Sequence, residues 1–359
     1  MNILFSSDTV NRGGKEKQLT MLASGLIERG YNVYIAVERF QPENNYFSEY
    51  KFPLDNLFIY NGFTDFRKII SKVRPHIGVS LESKSSAYHL ITSRLYRYRF
   101  INGSIRHGIR LATFSHYLRS FIAWFSPYVM ANTRAGLYIN NMKPGKNKFV
   151  LNNGVDRKFR QKKSEYEKRE ILSGFFPKYA EYPSKVIISI ANFLPFKDYF
   201  TVFKALHKLR PRKPFVYLII GDGPLKHELI NMIGELNLDD AIKLLGRVDN
   251  VEDYLAVSDY YIHSSKGEGM SNAILEAMYA GLPVIATNVG GVSETVYKES
   301  SALFSYKDHN MLHDILLHVD EMFESFDPDS EDYRKHLELY SVDRMISDFE
   351  DIIRKVNSN

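Results

Sequence analysis

Short runs of β-branched and aromatic residues alternate with helical patterns along nearly the whole of this chain. In the first half, strands are predicted at residues 2–6, 32–37, 57–60, 77–81, 100–105, 128–132 and 149–151, and a helix at residues 16–29. Such alternation is typical of parallel sheets covered by helices, because parallel strands are joined by crossovers that are usually helical. The sequence therefore predicts an α/β fold class. With 44% hydrophobic and 25% charged residues, the chain is not disordered, collagen-like or a coiled coil.

The alternating pattern stops once and then starts again. Residues 157–170 are polar and highly charged, and a proline-flanked segment follows at 177–183. Beyond this break, strands are predicted at residues 186–191, 216–221, 242–246, 260–263, 283–286 and 302–305, with helices between them. We therefore predict two doubly wound domains at residues 1–165 and 185–340, a linker at 166–184, and a C-terminal helix at 341–359 that returns toward the first domain. Open α/β sheets bind ligands outside the carboxyl ends of their strands, so functional residues are expected there.

Charge is distributed unequally between the two halves. Residues 1–160 hold 24 Lys and Arg against 10 Asp and Glu, a net charge of +14, and the remaining residues hold 23 against 32, a net charge of −9. No acidic side chain occurs between Glu82 and Asp156. The same stretch contains eleven basic residues: Lys84, Arg94, Arg97, Arg99, Arg106, Arg110, Arg119, Arg134, Lys143, Lys146 and Lys148. A block of this kind attracts an anionic partner.

Nucleic acid, an anionic membrane surface and a phosphate-bearing substrate could each satisfy this basic block. Residues 94–100 interleave arginines with aromatics, which suits stacking on single strands, but no nucleic-acid motif accompanies them, so no nucleic-acid partner is expected. Residues 114–125 carry an apolar helical face made of Tyr117, Leu118, Phe121, Ile122, Trp124 and Phe125. This face predicts either peripheral membrane association or a helix packed on the core, and His116 and Arg119 argue against a transmembrane span.

The chain contains no cysteine, which excludes disulfides, thiolate metal sites and a cysteine nucleophile. Residues 1–5 lack the basic region of a signal peptide, and their apolar run ends at Ser6, so neither a signal peptide nor an anchor is predicted. These features predict a cytoplasmic location. The basic block leaves open a peripheral association with the inner face of the cell membrane.

The most informative residues lie between positions 267 and 276. Glu268 is in the loop after a predicted strand, and Ser271 or Asn272 can cap the helix that carries Glu276. Carboxylates accept hydrogen bonds from sugar hydroxyls, and the free N–H groups at a helix start attract anions. The alternative is structural, with one ordinary loop glutamate and a second that complements the helix dipole.

Glycine turns at other predicted strand ends favour a ligand site. The Gly13-Gly14 pair precedes the first helix, and the Gly290-Gly291 pair precedes Glu294 in a short helix of the second half. Glycine allows a phosphate to approach bare backbone. Lys197, near another strand end, could supply a positive charge to a diphosphate, or it could be a solvated loop lysine.

These motifs resemble the retaining glycosyltransferases of family 4, which have the GT-B fold. Glu268 and Glu276 match the E-x7-E motif of the family, and residues 281–294 match the segment that follows it. Residues 219–224 match the strand and turn of the family's second domain, and residues 13–16 resemble its N-terminal glycine loop. The resemblance covers essentially the whole chain. It implies two facing Rossmann-like domains, of which the first binds the acceptor and the second binds a nucleotide sugar.

The resemblance also implies roles for individual residues. Lys197, Glu268 and His107 are the expected catalytic residues, with Lys197 on the donor diphosphate and His107 on the donor sugar; His116 is the second candidate for that histidine. The expected donor-binding residues are Gly13, Gly14, Asn192, Lys197, Arg247, Gly269, Met270, Ser271, Glu276, Gly291 and Glu294. Glu276 would bind the ribose, and Glu268 with the backbone of residues 269–271 would hold the transferred sugar. Arg106 and His107 are the expected acceptor-binding residues.

One position departs from the family pattern. Asn192 stands where many members have an arginine beside the lysine. Either Arg106 or Arg247 is therefore expected to help at the leaving group, or donor binding is weaker.

The implied function is transfer of a hexose or N-acetylhexosamine from a nucleotide sugar, with retention of configuration, to a hydroxyl of a glycan or lipid-linked acceptor in bacterial surface polysaccharide synthesis. Family frequency favours UDP as the nucleotide of the donor. No cofactor or metal is expected, since the nucleotide sugar is a substrate. The Asp327-Pro328-Asp329 triplet superficially matches a metal-binding D-x-D and is interpreted as a helix cap.

Two other functions fit the candidate site residues. One is a glycoside hydrolase or phosphorylase that uses Glu268 and Glu276 as acid and as nucleophile or base. The other is a catalytically impaired nucleotide-sugar-binding protein.

Overall fold

The computed structural model describes residues 1–106, 108, 114–159, 163–176 and 185–358, and the chain divides into two compact units. Unit 1 consists of Met1–Gly154 together with Leu339–Asn359, and unit 2 consists of Val155–Glu338. The predicted histidine His107 and residues 177–184 of the predicted linker lie outside the described residues.

Each unit is built on a parallel sheet. The strands of unit 1 are β1 (Asn2–Thr9), β2 (Asn32–Arg39), β3 (Leu57–Ile59), β4 (Ile77–Ser80), β5 (Arg99–Ile105), β6 (Tyr128–Ala131) and β7 (Lys148–Val150). Those of unit 2 are β8 (Lys185–Ile190), β9 (Phe215–Ile220), β10 (Ile242–Gly246), β11 (Tyr260–His263), β12 (Val284–Thr287) and β13 (Ser301–Phe304). The strand orders are β3-β2-β1-β4-β5-β6-β7 and β10-β9-β8-β11-β12-β13. The order therefore reverses between β1 and β4 in unit 1 and between β8 and β11 in unit 2.

Helices connect the strands in both units. Unit 1 contains α1 (Gly14–Glu28), α2 (Gly62–Val73), α3 (Ser83–Tyr96), α4 (Phe114–Phe125) and α5 (Arg134–Ile139). Unit 2 contains α6 (Glu165–Ser173), α7 (Tyr199–Leu209), α8 (Lys226–Glu235), α9 (Val251–Ala256), α10 (Asn272–Tyr279), α11 (Val292–Thr295), α12 (His309–Leu317), α13 (Val319–Met322) and α14 (Glu331–Glu338). The last helix, α15 (Val342–Asn357), belongs to unit 1. The predicted strands agree with the structure to within a few residues, because both faces of these strands are buried and their apolar runs are nearly continuous.

The C-terminal helix α15 packs on α1 and the sheet of unit 1. Ser341 caps its start by accepting a hydrogen bond from the backbone N–H of Arg344 at 3.1 Å. The buried face carries Met345, Ile346, Phe349, Ile352, Ile353 and Val356, at helical spacing. The Phe349 ring lies 5.7 Å from the Phe5 ring of β1, between centroids. The helix therefore completes the core on one face of the first sheet.

The boundary between the units differs from the sequence-based prediction. The structure ends the first part of unit 1 at Gly154, so residues 155–165 belong to unit 2. Part of the predicted linker is the helix α6, which begins with a capping box in which Ser164 and Glu167 satisfy each other's backbone N–H groups. High charge in this segment reflects an exposed helix rather than an unstructured connection.

The apolar face of α4 was predicted either to contact a membrane or to pack on the core, and its exposure decides against packing on the core. Tyr117, Leu118, Phe121, Trp124 and Phe125 are exposed, by 69% at Trp124, whereas Ile122 is buried. The interpretation as a core-packed face is therefore wrong for five of the six side chains. Within the described ranges, no helix combines the length and the apolarity needed to cross a bilayer.

The triplet at Asp327 forms a turn ahead of α14. The Asp327 carboxylate accepts the backbone N–H of Asp329 at 2.8 Å, and the Asp327 carbonyl accepts the N–H of Ser330 at 3.2 Å. Hydrogen bonds of this type are those of an Asx turn. The triplet thus has a local structural role in starting the helix.

Candidate functional site

The candidate site of unit 2 lies at the carboxyl ends of β8 and β11, where the strand order reverses. Lys197 is in the loop after β8, and Glu268 is in the loop after β11. The two loops are joined by a bridge between Lys197 and Ser265 and by a hydrogen bond of 3.0 Å from the Asp198 N–H to the Ser264 carbonyl. The topology therefore brings together two residues that are far apart in sequence, at the position where open α/β sheets bind ligands.

Three side chains meet at one carboxylate oxygen. The Lys197 ammonium contacts Oε1 of Glu268, and Nε2 of His263 lies 2.8 Å from the same oxygen. Nζ of Lys197 and Nε2 of His263 are 3.4 Å apart. Only 13% of the Lys197 side chain and 15% of the Glu268 side chain are exposed, so the ion pair is largely shielded from water.

The charges of this cluster are fixed by their neighbours. Burial by itself would raise the pKa of Glu268, but the Lys197 charge and the His263 hydrogen bond outweigh it and hold that pKa well below its usual range. Burial, reinforced by the Lys197 charge, lowers the pKa of His263. At neutral pH the cluster therefore contains a carboxylate, an ammonium and a neutral imidazole.

The tautomer of His263 follows from its second contact. The Tyr261 hydroxyl lies 3.2 Å from Nδ1 of His263. A neutral imidazole that donates from Nε2 to a carboxylate must accept at Nδ1, and a hydroxyl can supply that proton. In this tautomer, the Tyr261 hydroxyl donates to Nδ1 of His263, and Nε2 of His263 donates to Glu268.

Glu276 is buried in α10, one helical turn inside the helix start. Burial, followed by the charges of Glu276 and Glu268, raises the pKa of Tyr261 well above its usual value. The charges of both glutamates of the predicted motif therefore act on the Tyr261 hydroxyl. The E-x7-E assignment and the role of Glu276 toward a ribose stay predictions.

The loop between the two glutamates is held by its backbone. The Glu268 carbonyl accepts the Gly291 N–H at 3.0 Å, and Ser271 caps α10 by accepting the N–H of Ile274 at 3.4 Å. Gly269 and Met270 are buried between these two points. Glu294 lies on the exposed side of the short α11 that Gly291 starts. The loop is therefore fixed at both ends.

Asn192 and Arg247 lie at the same sheet edge but outside the three-residue cluster. Asn192 is exposed in the loop after β8, and Arg247 is exposed directly after β10. The strand β9 separates β8 from β10. The expectation that Arg247 helps at a leaving group stays a prediction.

The glycine loop of unit 1 carries a second charged cluster. Nζ of Lys15 lies 2.7 Å from Asp8, 2.5 Å from Glu82 and 3.3 Å from Glu16, between carboxylate oxygens and the ammonium. Gly13 is the extended residue before α1, and a Cβ there would lie 2.4 Å from Oε2 of Glu16. A side chain at position 13 would therefore have to displace the end of the Glu16 side chain.

Arg106 lies near this cluster within unit 1. Its Nη2 donates to Oδ1 of Asn153 at 3.1 Å. Burial lowers the pKa of Arg106 to about 10, against the opposing charges of Glu16 and Glu82. His107, its predicted partner, lies outside the described residues, as does the side chain of His116.

Sequence reasoning missed His263, which contacts both predicted catalytic residues of unit 2. The histidine was sought in the first domain because the family resemblance placed it there. The available signal was its position as the last residue of β11, since polar residues at the carboxyl end of a central parallel strand face the ligand edge.

Residues 175–321, which lie within unit 2, match the family model for Glycosyl transferases group 1. The Lys197, His263 and Glu268 cluster lies inside the matched residues.

Two curated relatives match part of the chain. The chain is 35% identical over 112 residues to N-acetyl-alpha-D-glucosaminyl L-malate synthase of Bacillus anthracis, covering 31% of this chain and 29% of that protein. It is 40% identical over 77 residues to UDP-Gal:alpha-D-GlcNAc-diphosphoundecaprenol alpha-1,3-galactosyltransferase of Escherichia coli, covering 21% and 20%. The chain thus spans less than a third of each of these relatives.

The fold is that of solved glycosyltransferase structures. Anabaena Alr3699/HepE in complex with UDP-glucose superposes with a TM-score of 0.83 at 17% identity, covering 99% of each chain. The predicted GT-B fold class, with two doubly wound parallel-sheet units, is confirmed by this likeness and by the two strand orders.

Proposed function

We propose that the protein is a retaining, metal-independent glycosyltransferase. It transfers a hexose or N-acetylhexosamine from a UDP-linked sugar to a hydroxyl of a glycan or lipid-linked acceptor, in bacterial surface polysaccharide synthesis. The observation that carries this proposal is the contact of Lys197 and His263 with one oxygen of Glu268 at the switch point of unit 2. The match of the same unit to group 1 glycosyl transferases supports it, as do the sugar-transferring relatives.

The charges of the cluster suit a nucleotide-sugar donor. Lys197 binds the donor diphosphate, and because Glu268 already holds its ammonium in the site, little side-chain entropy is lost when the diphosphate enters. Ionised Glu268 can only accept hydrogen bonds, so with the backbone of residues 269–271 it receives the hydroxyls of the transferred sugar. Glu276 binds the ribose.

The reaction needs no dedicated base. The bond between the sugar C1 and the leaving phosphate oxygen breaks, the bond between C1 and the acceptor oxygen forms on the same face, and the acceptor proton passes to the leaving phosphate. Lys197 stabilises the charge that develops on the diphosphate. His263 acts as a positioning residue that keeps the Glu268 carboxylate in place.

A glycoside hydrolase is a poorer fit to this cluster. Such an enzyme needs one protonated carboxyl as general acid, and enzymes obtain it by raising a pKa. Lys197 and His263 hold the pKa of Glu268 below its usual range, so Glu268 stays ionised at neutral pH. Glu268 therefore cannot supply the proton that a hydrolase requires.

The test is turnover of a panel of UDP-sugars by the full chain, followed as UDP release, with the anomeric configuration of the product read by NMR. Glu268→Gln is expected to lower turnover by about 100-fold or more, since it removes a charge from the site. Glu235→Gln, on the exposed side of α8, is the matched control. Oligosaccharide cleavage without UDP release, donor binding without turnover, an inverted product, or full activity of Glu268→Gln would each contradict the proposal.

We further propose that the protein works at the inner face of the cell membrane, with α4 as its contact. The exposed rings of Phe121 and Phe125 lie 4.7 Å apart, and those of Trp124 and Phe125 lie 5.7 Å apart, between centroids. A contiguous aromatic face within a stretch that lacks acidic residues fits an anionic bilayer, which offers apolar contact and negative charge together. Flotation with anionic vesicles tests this proposal, and failure to bind at low salt would contradict it.

A further inference from the structure

A basic depression opens at the amino ends of β4 and β5 in unit 1, at the sheet edge away from the glycine loop. It has a volume of about 700 Å³ and is lined by Arg74, His76, Arg97 and Arg99, together with Tyr96 and the end of α15 at Asn357. No acidic residue lines it. Neither the proposed transfer reaction nor the α4 face uses these residues.

The arginines are placed by the backbone. Arg74 follows α2 with φ 47° and ψ 61°, and Arg97 follows α3 with φ 55° and ψ 47°. This left-handed conformation at a helix end is usually given to glycine or asparagine, because a Cβ disfavours it. Arg99 begins β5, and its backbone N–H donates to the carbonyl of His76 at 2.9 Å. The ends of α2 and α3 and the starts of β4 and β5 thus bring Arg74, Arg97, His76 and Arg99 to one depression.

Helix dipoles explain only part of this arrangement. A cation at the end of a helix is stabilised by the free carbonyl groups there, which accounts for Arg74 and Arg97. It does not account for Arg99, which begins β5, or for His76, which precedes β4. Glycine at positions 74 and 97 would remove the conformational strain of the left-handed backbone. Arginine there retains the positive charge at the cost of that strain.

The arginines of the depression are not paired with carboxylates of the described residues. None of Arg74, Arg97 and Arg99 forms an ion pair with a carboxylate there. Nδ1 of His76 accepts the backbone N–H of Asn2 at 3.0 Å, so the neutral ring carries its proton on Nε2 and can donate from there. The depression therefore offers several donors and positive charges that no carboxylate of the described residues neutralises.

A neighbouring depression extends the basic surface. It has a volume of about 680 Å³, shares Ser71 and Tyr96 with the first, and adds Arg67, Lys68 and Lys72. Nε of Arg67 donates to the Tyr96 hydroxyl at 3.0 Å, and Oγ of Ser71 lies 3.1 Å from the same hydroxyl. Lys68 is the member with an acidic neighbour, Asp65, at 2.9 Å.

We propose that the depression formed by Arg74, His76, Arg97 and Arg99 binds a phosphate group, carried either by a soluble phosphate compound or by a lipid headgroup. Guanidinium groups match phosphate oxygens with paired N–H donors. A carboxylate has one charge and two oxygens, which one arginine can satisfy. Three arginines and an imidazole donor suit a group with more oxygens and about two charges.

The first experiment is calorimetric titration of pyrophosphate into the full chain at low ionic strength. It is carried out on the Lys197→Ala protein, because Lys197 of unit 2 is proposed to bind the donor diphosphate and would otherwise contribute to pyrophosphate binding. Arg74→Gly with Arg97→Gly and Arg99→Gln is expected to weaken binding by about tenfold or more, since each change removes charged hydrogen bonds. The two glycine changes are expected to leave the Tm unchanged or to raise it, because they relieve left-handed backbone.

The matched control is Lys51→Gly, which removes a basic residue from another left-handed position of unit 1, at φ 55°. It is expected to leave pyrophosphate binding within twofold of its parent. The absence of binding in the Lys197→Ala protein, unchanged binding in the arginine variants, or an equal loss in Lys51→Gly would overturn the proposal. This proposal can be tested separately from the proposed transfer function. If Lys197 does not bind the donor diphosphate, the Lys197→Ala protein and the unchanged chain are expected to bind pyrophosphate equally. The comparison of the arginine variants with Lys51→Gly remains valid in that case.

A second measurement separates the two sources of phosphate. Vesicles of phosphatidylcholine with and without phosphatidic acid are tested by flotation with the same variants. Binding of phosphatidic acid vesicles that depends on the arginines identifies a headgroup site, and pyrophosphate binding without vesicle binding identifies a soluble ligand. Both results support a phosphate site.

Discussion

Nε2 of His263 lies 2.8 Å from Oε1 of Glu268, and this contact connects the core of unit 2 to its candidate site. His263 is buried at the end of β11, whereas Glu268 is in the loop beyond it. A buried imidazole that donates to a loop carboxylate limits where that carboxylate can lie. The consequence is a preorganised acceptor of hydrogen bonds beside the Lys197 ammonium.

Replacing Lys197 by methionine is expected to lower kcat/KM for a confirmed UDP-sugar by about 100- to 1000-fold, which is the usual effect of removing one electrostatic group from a transition state. The neutral side chain keeps most of the volume and leaves Glu268 without its ion-pair partner. Initial rates of UDP release measure the effect. Lys204→Met, on the exposed face of α7, is the control and should retain full activity.

The stability of unit 2 is expected to fall as the pH is lowered from 7 toward 4. The pKa of His263 is lowered by burial and by Lys197, and that of Glu268 is held low against burial by Lys197 and His263. In each case the unfolded chain takes up a proton at a higher pH than the folded chain, so protonation favours unfolding. The His263 contribution is complete above about pH 6.5 and the Glu268 contribution above about pH 4.3, and each is lost below.

Urea unfolding at several pH values measures this dependence. His263→Gln should remove the part of the slope between about pH 5 and 7 while keeping the acid part, because glutamine can still donate to Glu268 but does not titrate. His207→Gln, at an exposed position on α7, should keep the whole slope. An unaltered profile in His263→Gln would show that the histidine is not the titrating group.

Much of the fold could be predicted from the sequence, because strands buried on both faces leave continuous apolar runs. The helix α6 could not be distinguished by charge from a linker, although its Ser164 and Glu167 capping box was present in the sequence. His263 was missed because the family resemblance directed the search for a histidine to the first domain, although its position at the end of a predicted strand was visible in the sequence. The basic depression was missed because left-handed turns at Arg74 and Arg97, which local sequence does not specify, bring its parts together.

Gly221→Ala is expected to destabilise unit 2 by about 3 kcal/mol, through overpacking added to an unfavourable backbone conformation. Gly221 has φ +153°, and a Cβ there would lie 2.0 Å from the carbonyl oxygen of Ala191, which is backbone and cannot move aside cheaply. Gly30→Ala is the matched control, since Gly30 has φ +86° but no atom within 4 Å of its Cβ position. That change should cost about 1 kcal/mol. Equal losses in urea unfolding would contradict the steric explanation.

Phe349→Ala is expected to destabilise unit 1 by about 3–5 kcal/mol, the usual cost of removing a buried phenylalanine. Phe349 is fully buried between α15 and the sheet, beside Phe5. Asp351→Ala, on the exposed side of the same helix, should change the free energy of unfolding by less than about 0.5 kcal/mol. Hydrogen exchange should locate the loss in α1 and α15. Exchange that is faster only in unit 2 would contradict the assignment of α15 to unit 1.

The proposed membrane contact can be followed by tryptophan fluorescence, because Trp124 is the single tryptophan of the chain and is 69% exposed on α4. Anionic vesicles should shift its emission to shorter wavelength, and raising the salt concentration should weaken the shift, since charges more than about 8 Å apart are screened at physiological ionic strength. Phe121→Ser should weaken vesicle binding by about tenfold or more, because burying one phenylalanine contributes about 1.5–3 kcal/mol. Ile230→Ser, at a residue of α8 that is 47% exposed, should leave it unchanged. Because the two substitutions remove comparable exposed apolar surface from different units, a loss confined to Phe121→Ser assigns the contact to α4, whereas equal losses would indicate nonspecific adsorption.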